Sequence, residues 1–228
     1  MHFTDELRKK TKIVNKWITD LSPIGGGYHS IIYEAVNYSI KAGGKRIRPI
    51  LSLSVCEMLG GKAEAVMPFA CAIEFMHTYS LIHDDLPCMD NDDLRRGMPT
   101  SHKKFGEALA LLAGDALLNH AFETIANASA PAEVIMEALK IISNSGGICG
   151  MIGGQVVDMK GADTYDELVT LYKMKTGAII TAAGRIGVLA SGVNDDETIS
   201  AVSAYTDNLG IAFQIKDDLL DVDRKRGV

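Results

Sequence analysis

The sequence is poor in the features that mark several large classes of protein. Aromatic residues make up 6% of its 228 residues, so the core must be built from aliphatic side chains. A net charge of −6 is not the basic excess of a nucleic-acid-binding protein, and we expect no nucleic-acid partner. The cysteines lie far apart with no CxxC pair, which predicts reduced, mostly buried thiols at Cys56, Cys71, Cys88 and Cys149.

Signals for membranes and secretion are also missing. No run of about 18 uninterrupted apolar residues occurs, which argues against a transmembrane helix. The first residues, MHFTDELRKKTKIVNKW, have no apolar segment after their basic residues, which argues against a secretory signal. We therefore predict a cytoplasmic protein without stable membrane insertion.

Helical patterns dominate what is present. Helices are predicted at 29–41, 47–59, 66–83, 106–126, 132–144, 165–177 and 197–222. Segment 66–83 is apolar on nearly every face, as in a central helix buried on all sides. Thr164 and Glu167 form a capping-box pattern before the sixth helix. The glycine-rich stretch GGICGMIGG at 146–154 fits no phosphate-loop pattern, and we interpret it as a link with close helix contacts. The expected fold is all-α, a bundle of long antiparallel helices.

An acidic cluster follows the apolar segment, in HDDLPCMDNDDLRRG at 83–97. Asp84 and Asp90 are six residues apart and would lie on different faces of a regular helix. Pro87 stands between them and cannot donate a helical hydrogen bond, so the helix must break or bulge there. That break would return Asp90 toward Asp84, an irregularity that indicates a site, although a solvated loop is the plain alternative.

A second acidic cluster lies near the end of the sequence, in FQIKDDLLD at 213–221. Asp217 and Asp221 are four residues apart and share one helix face, with Gln214 one turn earlier. Like charges at this spacing destabilise a helix, so their presence on an otherwise apolar helix indicates a function. Carboxylates without histidine or cysteine partners are ligands for a hard cation such as Mg²⁺, whose remaining positions are taken by water and phosphate.

Cations accompany both clusters. They occur in GGKRIRP at 43–49, in RRG after the first cluster, and in YKMKTG at 172–177. Arginine forks bind phosphate in bidentate fashion, and lysine contributes a point charge. Each pair alone is typical of a solvated surface, but their position beside glycines and acidic residues favours phosphate binding.

These motifs resemble those of one family. GGKRIRP, HTYSLIHDDLPCMDNDDLRRG, LAGDALL, GGQVVDM, KTGAII and FQIKDDLLD are similar, in order, to motifs of the trans-polyprenyl diphosphate synthases. The resemblance is nearest to bacterial farnesyl and plant-type geranylgeranyl diphosphate synthases. It implies one polyprenyl synthase domain over 1–228, folded around a central cavity. Because the family continues beyond the second acidic motif, we expect a domain without the family's C-terminal helices.

The resemblance also implies site residues. The implied catalytic set is Asp84, Asp85, Asp90, Lys175, Thr176, Gln214 and Asp217. The implied metal ligands are Asp84, Asp85, Asp90, Asp217, Asp218 and Asp221. Contacts to the allylic diphosphate are implied for Arg95, Lys175 and Gln214, and contacts to isopentenyl diphosphate for Lys45, Arg48, His77 and Arg96. Tyr79 and Ser80, about one turn before the first motif, are implied to limit product length.

The implied reaction condenses isopentenyl diphosphate with dimethylallyl or geranyl diphosphate to give farnesyl diphosphate. It implies three Mg²⁺ ions per active site, with Mn²⁺ as a substitute, and a homodimer. Alternatives are a geranylgeranyl diphosphate synthase and a non-catalytic subunit that binds prenyl diphosphates. A class I terpene cyclase shares the helical fold, but it needs neither GGKRIRP nor RRG for a second diphosphate.

Overall fold

The protein is a bundle of eleven α-helices, with one π-helical segment and one two-stranded hairpin, over the residues that the structure describes. The computed structural model describes the backbone of residues 2–226 and the side chains of residues 2–220. The elements are α1 (Phe3–Leu21), α2 (Ser30–Lys41), α3 (Ile47–Met58), α4 (Ala63–Asp84), β1 (Leu94–Arg95), β2 (Met98–Pro99), α5 (Ser101–Phe105), α6 (Glu107–Ala126), α7 (Ala132–Gly146), α8 (Met151–Lys160), α9 (Tyr165–Leu171), the π-helical segment (Tyr172–Gly177), α10 (Ala178–Ser191) and α11 (Asp196–Arg226).

Helix α4 lies at the centre of the bundle. It is contacted by α1, α2, α3, α6, α7 and α10, and its side chains between Val66 and Ile82 are almost all buried. An apolar surface on every side allows this, since each face finds another helix to pack against. The prediction of a central helix and of an all-α fold is confirmed.

The sequence-predicted helices are all present, and the predicted capping box is formed. The backbone N–H of Glu167 donates to Thr164 Oγ1 at 3.2 Å, and the Glu167 carboxylate accepts from the Thr164 N–H at 3.0 Å. The predicted helix at 165–177 nevertheless changes from α to π at Tyr172. Helices α1, α5, α8 and α10 were not among the predicted segments. In α1 the buried stripe is narrow, with Val14 and Ile18 among many charged residues.

A short hairpin is a further difference from the predicted helices and links. Strands β1 and β2 pair antiparallel, with Arg96 and Gly97 as the two turn residues. Both have positive φ, 55° and 78°, as a type I′ turn requires. Two-residue strands are too short for an alternating pattern to reveal them.

Helix α4 is also the one described helix long and apolar enough to cross a membrane. An apolar stretch of 18 residues within α4 is 72% buried inside the protein, so packing in the core accounts for the composition of this helix. The cysteines are free, but the expectation of mostly buried thiols is wrong for Cys88 and Cys149. Cys88 lies between α4 and β1, Cys149 lies between α7 and α8, and both are exposed.

Candidate active site

A cavity of about 990 Å³ lies between α4, α8, the π-helical segment, α11 and the connection from α2 to α3. This volume is at the upper end of the range for small-molecule sites. The cavity brings together twelve of the sequence-predicted site residues. They are Lys45, Arg48, His77, Tyr79, Ser80, Asp84, Arg95, Arg96, Lys175, Thr176, Gln214 and Asp217.

The first acidic cluster folds back on itself at the end of α4. The helix ends at Asp84, and the backbone N–H of Asp90 donates to the Asp84 carbonyl at 2.9 Å. The return around Pro87 that the sequence predicted is therefore present. Burial raises the pKa of Asp84 to about 6; the charge of Lys175 lowers it, and that of Asp90 raises it. Asp84 is thus a carboxylate that needs a cation to stay ionised at low cost.

Asp85 has a different environment from its neighbour. Its side chain is buried and accepts from Arg95 Nε at 2.9 Å, and Arg95 Nη2 donates to Asp85 and, at 3.2 Å, to Asp92. Burial raises the pKa of Asp85, and the hydrogen bond from Arg95 opposes this rise. Asp85 borders a separate cavity of about 30 Å³ behind the hairpin rather than the main cavity. In this arrangement it positions Arg95.

The aspartates of the second acidic cluster also lie in two different environments. Gln214 and Asp217 line the cavity, whereas Asp218 accepts a hydrogen bond from the hydroxyl of Tyr172. Thr176 Oγ1 donates to Gln214 Oε1 at 2.8 Å, which fixes the amide orientation. The side chain of Asp221 lies outside the described residues, and its predicted metal role stays a prediction.

Close helix packing places Lys175. A Cβ atom at Gly154 of α8 would lie 2.3 Å from the backbone nitrogen of Lys175, so only glycine permits this approach. The π-helical segment then directs Lys175 to the cavity, where it forms an ion pair with Asp158. Such π-bulges frequently occur at functional sites. The glycine-rich stretch therefore makes the close contacts that its sequence predicted.

The part of the cavity wall around His77 is cationic. Arg48 Nε is buried and has no hydrogen-bond partner among the described residues, although Arg48 borders the cavity. The guanidinium of Arg96 packs 2.6 Å from where a Cβ of Gly44 would be, so this glycine gives it room. Burial and four surrounding arginines hold the pKa of His77 well below its usual range. His77 is therefore neutral and retains one N–H to donate to an anion.

The acidic residues fit Mg²⁺ only as part of a larger complex. Among the side chains of residues 2–220, no three His, Cys, Asp or Glu residues lie close enough to bind a metal by themselves. Mg²⁺ commonly binds one or two carboxylates, with waters and substrate phosphates completing its octahedron. Burial raises the pKa of Asp84, and the charge of Lys175 opposes that rise, so a cation near this carboxylate favours its ionised form.

Comparison with known proteins decides the family. The family model for polyprenyl synthetase matches residues 29–227. This chain belongs to the polyprenyl synthetase family. The match covers most of the sequence and confirms the family that the motifs indicated.

Relatives agree with this assignment. The chain is 44% identical over 230 residues to the heterodimeric geranylgeranyl pyrophosphate synthase large subunit 1 of Arabidopsis thaliana, covering 96% of this chain and 61% of the relative. It is 47% identical over 205 residues to the farnesyl diphosphate synthase of Micrococcus luteus, covering 86% and 69%. The chain thus spans roughly three fifths to seven tenths of the length of these relatives.

A solved structure extends the likeness to three dimensions. The geranyltransferase of Helicobacter pylori, in complex with magnesium and isoprenyl diphosphate, superimposes with a TM-score of 0.89 at 36% identity. The match covers 96% of this chain and 75% of that one. The polyprenyl synthetase fold is therefore formed over nearly the whole described chain.

Some polar residues in and around the cavity were not among the predicted site residues. Glu74 and Arg46 form a buried ion pair beside the cavity, Tyr172 holds Asp218, and Asp158 pairs with Lys175. Glu74 had a signal in the sequence, because it is the one acidic residue within the apolar segment 66–82. The partnerships themselves join residues far apart in the chain, which no local pattern specifies.

Proposed function

We propose that this polyprenyl synthetase is a trans-prenyltransferase that condenses isopentenyl diphosphate with dimethylallyl and geranyl diphosphates to give farnesyl diphosphate. The observation that carries the proposal is one cavity with two unlike ends. Asp84 and Asp217 stand at the acidic end, and Arg48, whose Nε has no partner in the part of the chain that the structure describes, is at the cationic end. Two diphosphates, one with metal and one without, match these two ends.

The acidic end holds the allylic diphosphate in this proposal. Asp84, Asp90 and Asp217 would hold Mg²⁺, and Lys175 and Arg95 would contact the diphosphate oxygens. When bound, Mg²⁺ supplies Lewis-acid stabilisation of the charge that develops on the leaving diphosphate. Asp85 and Asp158 orient the two cations through their ion pairs. Preorganised charge of this kind is usually the largest catalytic term.

The cationic end holds isopentenyl diphosphate. Lys45, Arg48 and Arg96 supply positive charge, and neutral His77 supplies a hydrogen bond. When the allylic C–O bond breaks, the double bond of isopentenyl diphosphate attacks the resulting allylic cation at C1. The attack leaves a positive charge on C3 of the isopentenyl unit. A proton is then lost from C2 to form the C2–C3 double bond, and an oxygen of the released diphosphate accepts this proton. No side chain has to act as a base at neutral pH.

Three Mg²⁺ ions per site, replacement by Mn²⁺ and a cytoplasmic location are parts of the same proposal. The magnesium and isoprenyl diphosphate in the Helicobacter pylori structure support the metal. Geranylgeranyl diphosphate is the alternative product, since relatives of both names share similar identity with this chain. A non-catalytic subunit remains a second candidate, because one of those relatives is named as a subunit of a heterodimer.

Incubation with isopentenyl and dimethylallyl diphosphates plus Mg²⁺ tests the proposal. We expect linear prenyl diphosphates, detected by mass spectrometry, and no product when EDTA replaces the metal. A cyclic hydrocarbon would indicate a terpene cyclase. Absence of any product, with pyrophosphate binding intact, would favour the non-catalytic subunit.

We also propose a homodimer, formed through α6. The side chains of Leu111 and Leu112 on this helix are 47% and 55% exposed, an apolar surface typical of an interface. We expect sedimentation velocity at micromolar concentration to show a dimer, and Leu112→Lys to give a monomer. Ile24→Lys, at an exposed residue outside α6, is the control and should leave the dimer intact. A folded monomeric parent would contradict the proposal.

A further inference from the structure

Glu74 is the one acidic residue within the buried part of α4, and it lies beneath the cationic end of the cavity. Its side chain is 3% exposed, yet it contributes to the cavity wall. The carboxylate accepts a hydrogen bond from Arg46 Nη1 at 2.7 Å. A buried charge is strongly unfavourable unless it is paired, so this ion pair is required for either residue to be buried.

All three guanidinium nitrogens of Arg46 donate hydrogen bonds to other groups of the protein. Nη2 donates to the carbonyl of Ile40 at 2.8 Å, and Nε donates to Asn15 Oδ1 at 3.1 Å, in addition to the bond to Glu74. Each of the three guanidinium nitrogens is therefore bonded to α1, α2 or α4. Arg46 also has a positive φ of 52°, which only a well-fixed non-glycine residue maintains. It anchors the chain between Lys45 and Arg48, whose side chains then face the cavity.

Glu74 also acts on the charges around it. Burial lowers the pKa of Arg48 and of Arg96, and in both cases the negative charge of Glu74 opposes this effect. Among the described residues that line the cavity, the other carboxylates are Asp84 and Asp217, at the acidic end. Glu74 is thus the internal counter-ion of the cationic end.

We propose that Glu74 is a positioning residue with two opposite effects on the metal-free diphosphate pocket. Through Arg46 it fixes the backbone that carries Lys45 and Arg48. Through its charge it stabilises the empty pocket and weakens the binding of an anion there. The inference deepens the proposed function, since this pocket is the one assigned to isopentenyl diphosphate. A residue that only supported the fold would have the first effect and not the second.

Glu74→Gln separates the two effects, because the amide keeps an oxygen for Arg46 and loses the charge. The probe is inorganic pyrophosphate in EDTA, so that no metal site contributes. We expect the unliganded variant to melt at a lower temperature than the parent. We also expect calorimetric titration to show about tenfold tighter pyrophosphate binding, because one unit of negative charge near the anion has been removed. Glu64→Gln, at an exposed position on the same helix, is the matched control and should bind pyrophosphate like the parent.

Asn15→Asp gives the reciprocal test and does not depend on Glu74→Gln folding. It retains the oxygen that accepts from Arg46 and adds a negative charge, so pyrophosphate should bind about threefold more weakly. Unchanged or weaker binding by a folded Glu74→Gln, or equal tightening in Glu64→Gln, would overturn the proposal. Unchanged or tighter binding by Asn15→Asp would do so as well. These titrations need no turnover, so a chain that fails to make prenyl diphosphates but passes them counts against the proposed function alone.

Discussion

The Asp84→Asn variant is expected to lose about 10³-fold in kcat while melting at a higher temperature than the parent in metal-free buffer. Catalysis falls because the carboxylate that would bind Mg²⁺ is removed from the acidic end of the cavity. Stability rises because burial and the charge of Asp90 make an ionised Asp84 unfavourable in the folded protein. Steady-state kinetics and thermal unfolding at pH 8 measure the two effects.

The same residue gives the parent a defined pH dependence. The pKa of Asp84 is about 6 in the folded protein, above its ordinary value of 3.8, so the folded state binds this proton more tightly. The contribution of Asp84 to stability is therefore present below about pH 4 and is lost as the pH rises through 6. In Asp84→Asn this loss between pH 4 and 6 should be absent.

Asp93→Asn is the matched control, since Asp93 lies in the same acidic stretch but outside the cavity. Its carboxylate pairs with Lys103 at 2.7 Å, and this hydrogen bond lowers its pKa. We expect kcat close to that of the parent and no gain in melting temperature. The model of two acidic clusters sharing metal would be wrong if Asp84→Asn, or the corresponding Asp217→Asn, retained near-parental kcat.

Tyr79→Ala is expected to change the main product from C15 to C20 or longer. Tyr79 borders the cavity five residues before Asp84, and it is 5% exposed with its ring edge-on to His83 at 5.7 Å. In the proposed function the prenyl tail grows along α4 toward this ring. A further isoprene unit would clash with packed side chains, at a cost of about 1–3 kcal/mol, which favours release at C15. Removing the ring removes that clash.

Product analysis by mass spectrometry decides the point, with two companion variants. Tyr79→Phe keeps the ring and should still give C15. Ser80→Phe, at a half-buried position that also borders the cavity, should shorten the product toward C10. If Tyr79→Ala folds and its product is still C15, a residue other than Tyr79 limits the length of the prenyl tail. Because truncating a buried ring costs about 3–5 kcal/mol, a melting curve must accompany each assay.

Much of the fold could be predicted because its signals are local. Segment 66–83 is apolar on all faces, and only the centre of a bundle buries such a helix. Pro87 must break the helix before Asp90, and the structure shows that turn. By contrast, α1 and the π-helical segment depend on contacts with distant residues, and the hairpin is too short for its pattern to be read.

In the candidate site, too, the residue types could be predicted from the sequence, but the surroundings of each side chain could not. In the first acidic motif, Asp84 faces the cavity and Asp85 faces Arg95, although both looked alike in the sequence. In the second, Asp217 faces the cavity and Asp218 faces Tyr172. Neighbouring residues on a helix are about 100° apart, so adjacent carboxylates cannot share one environment.

The sequence by itself determined the family, the helical class and the types of residue that the site contains, because these depend on periodicity and on motifs. Only the tertiary structure decided which carboxylates remain directed into the cavity and which cations are already paired. The pairing of Arg46 with Glu74, and of Lys175 with Asp158, joins residues on different helices. Each pairing depends on how closely those helices pack, at Gly154 for example, and that distance is a property of the whole bundle.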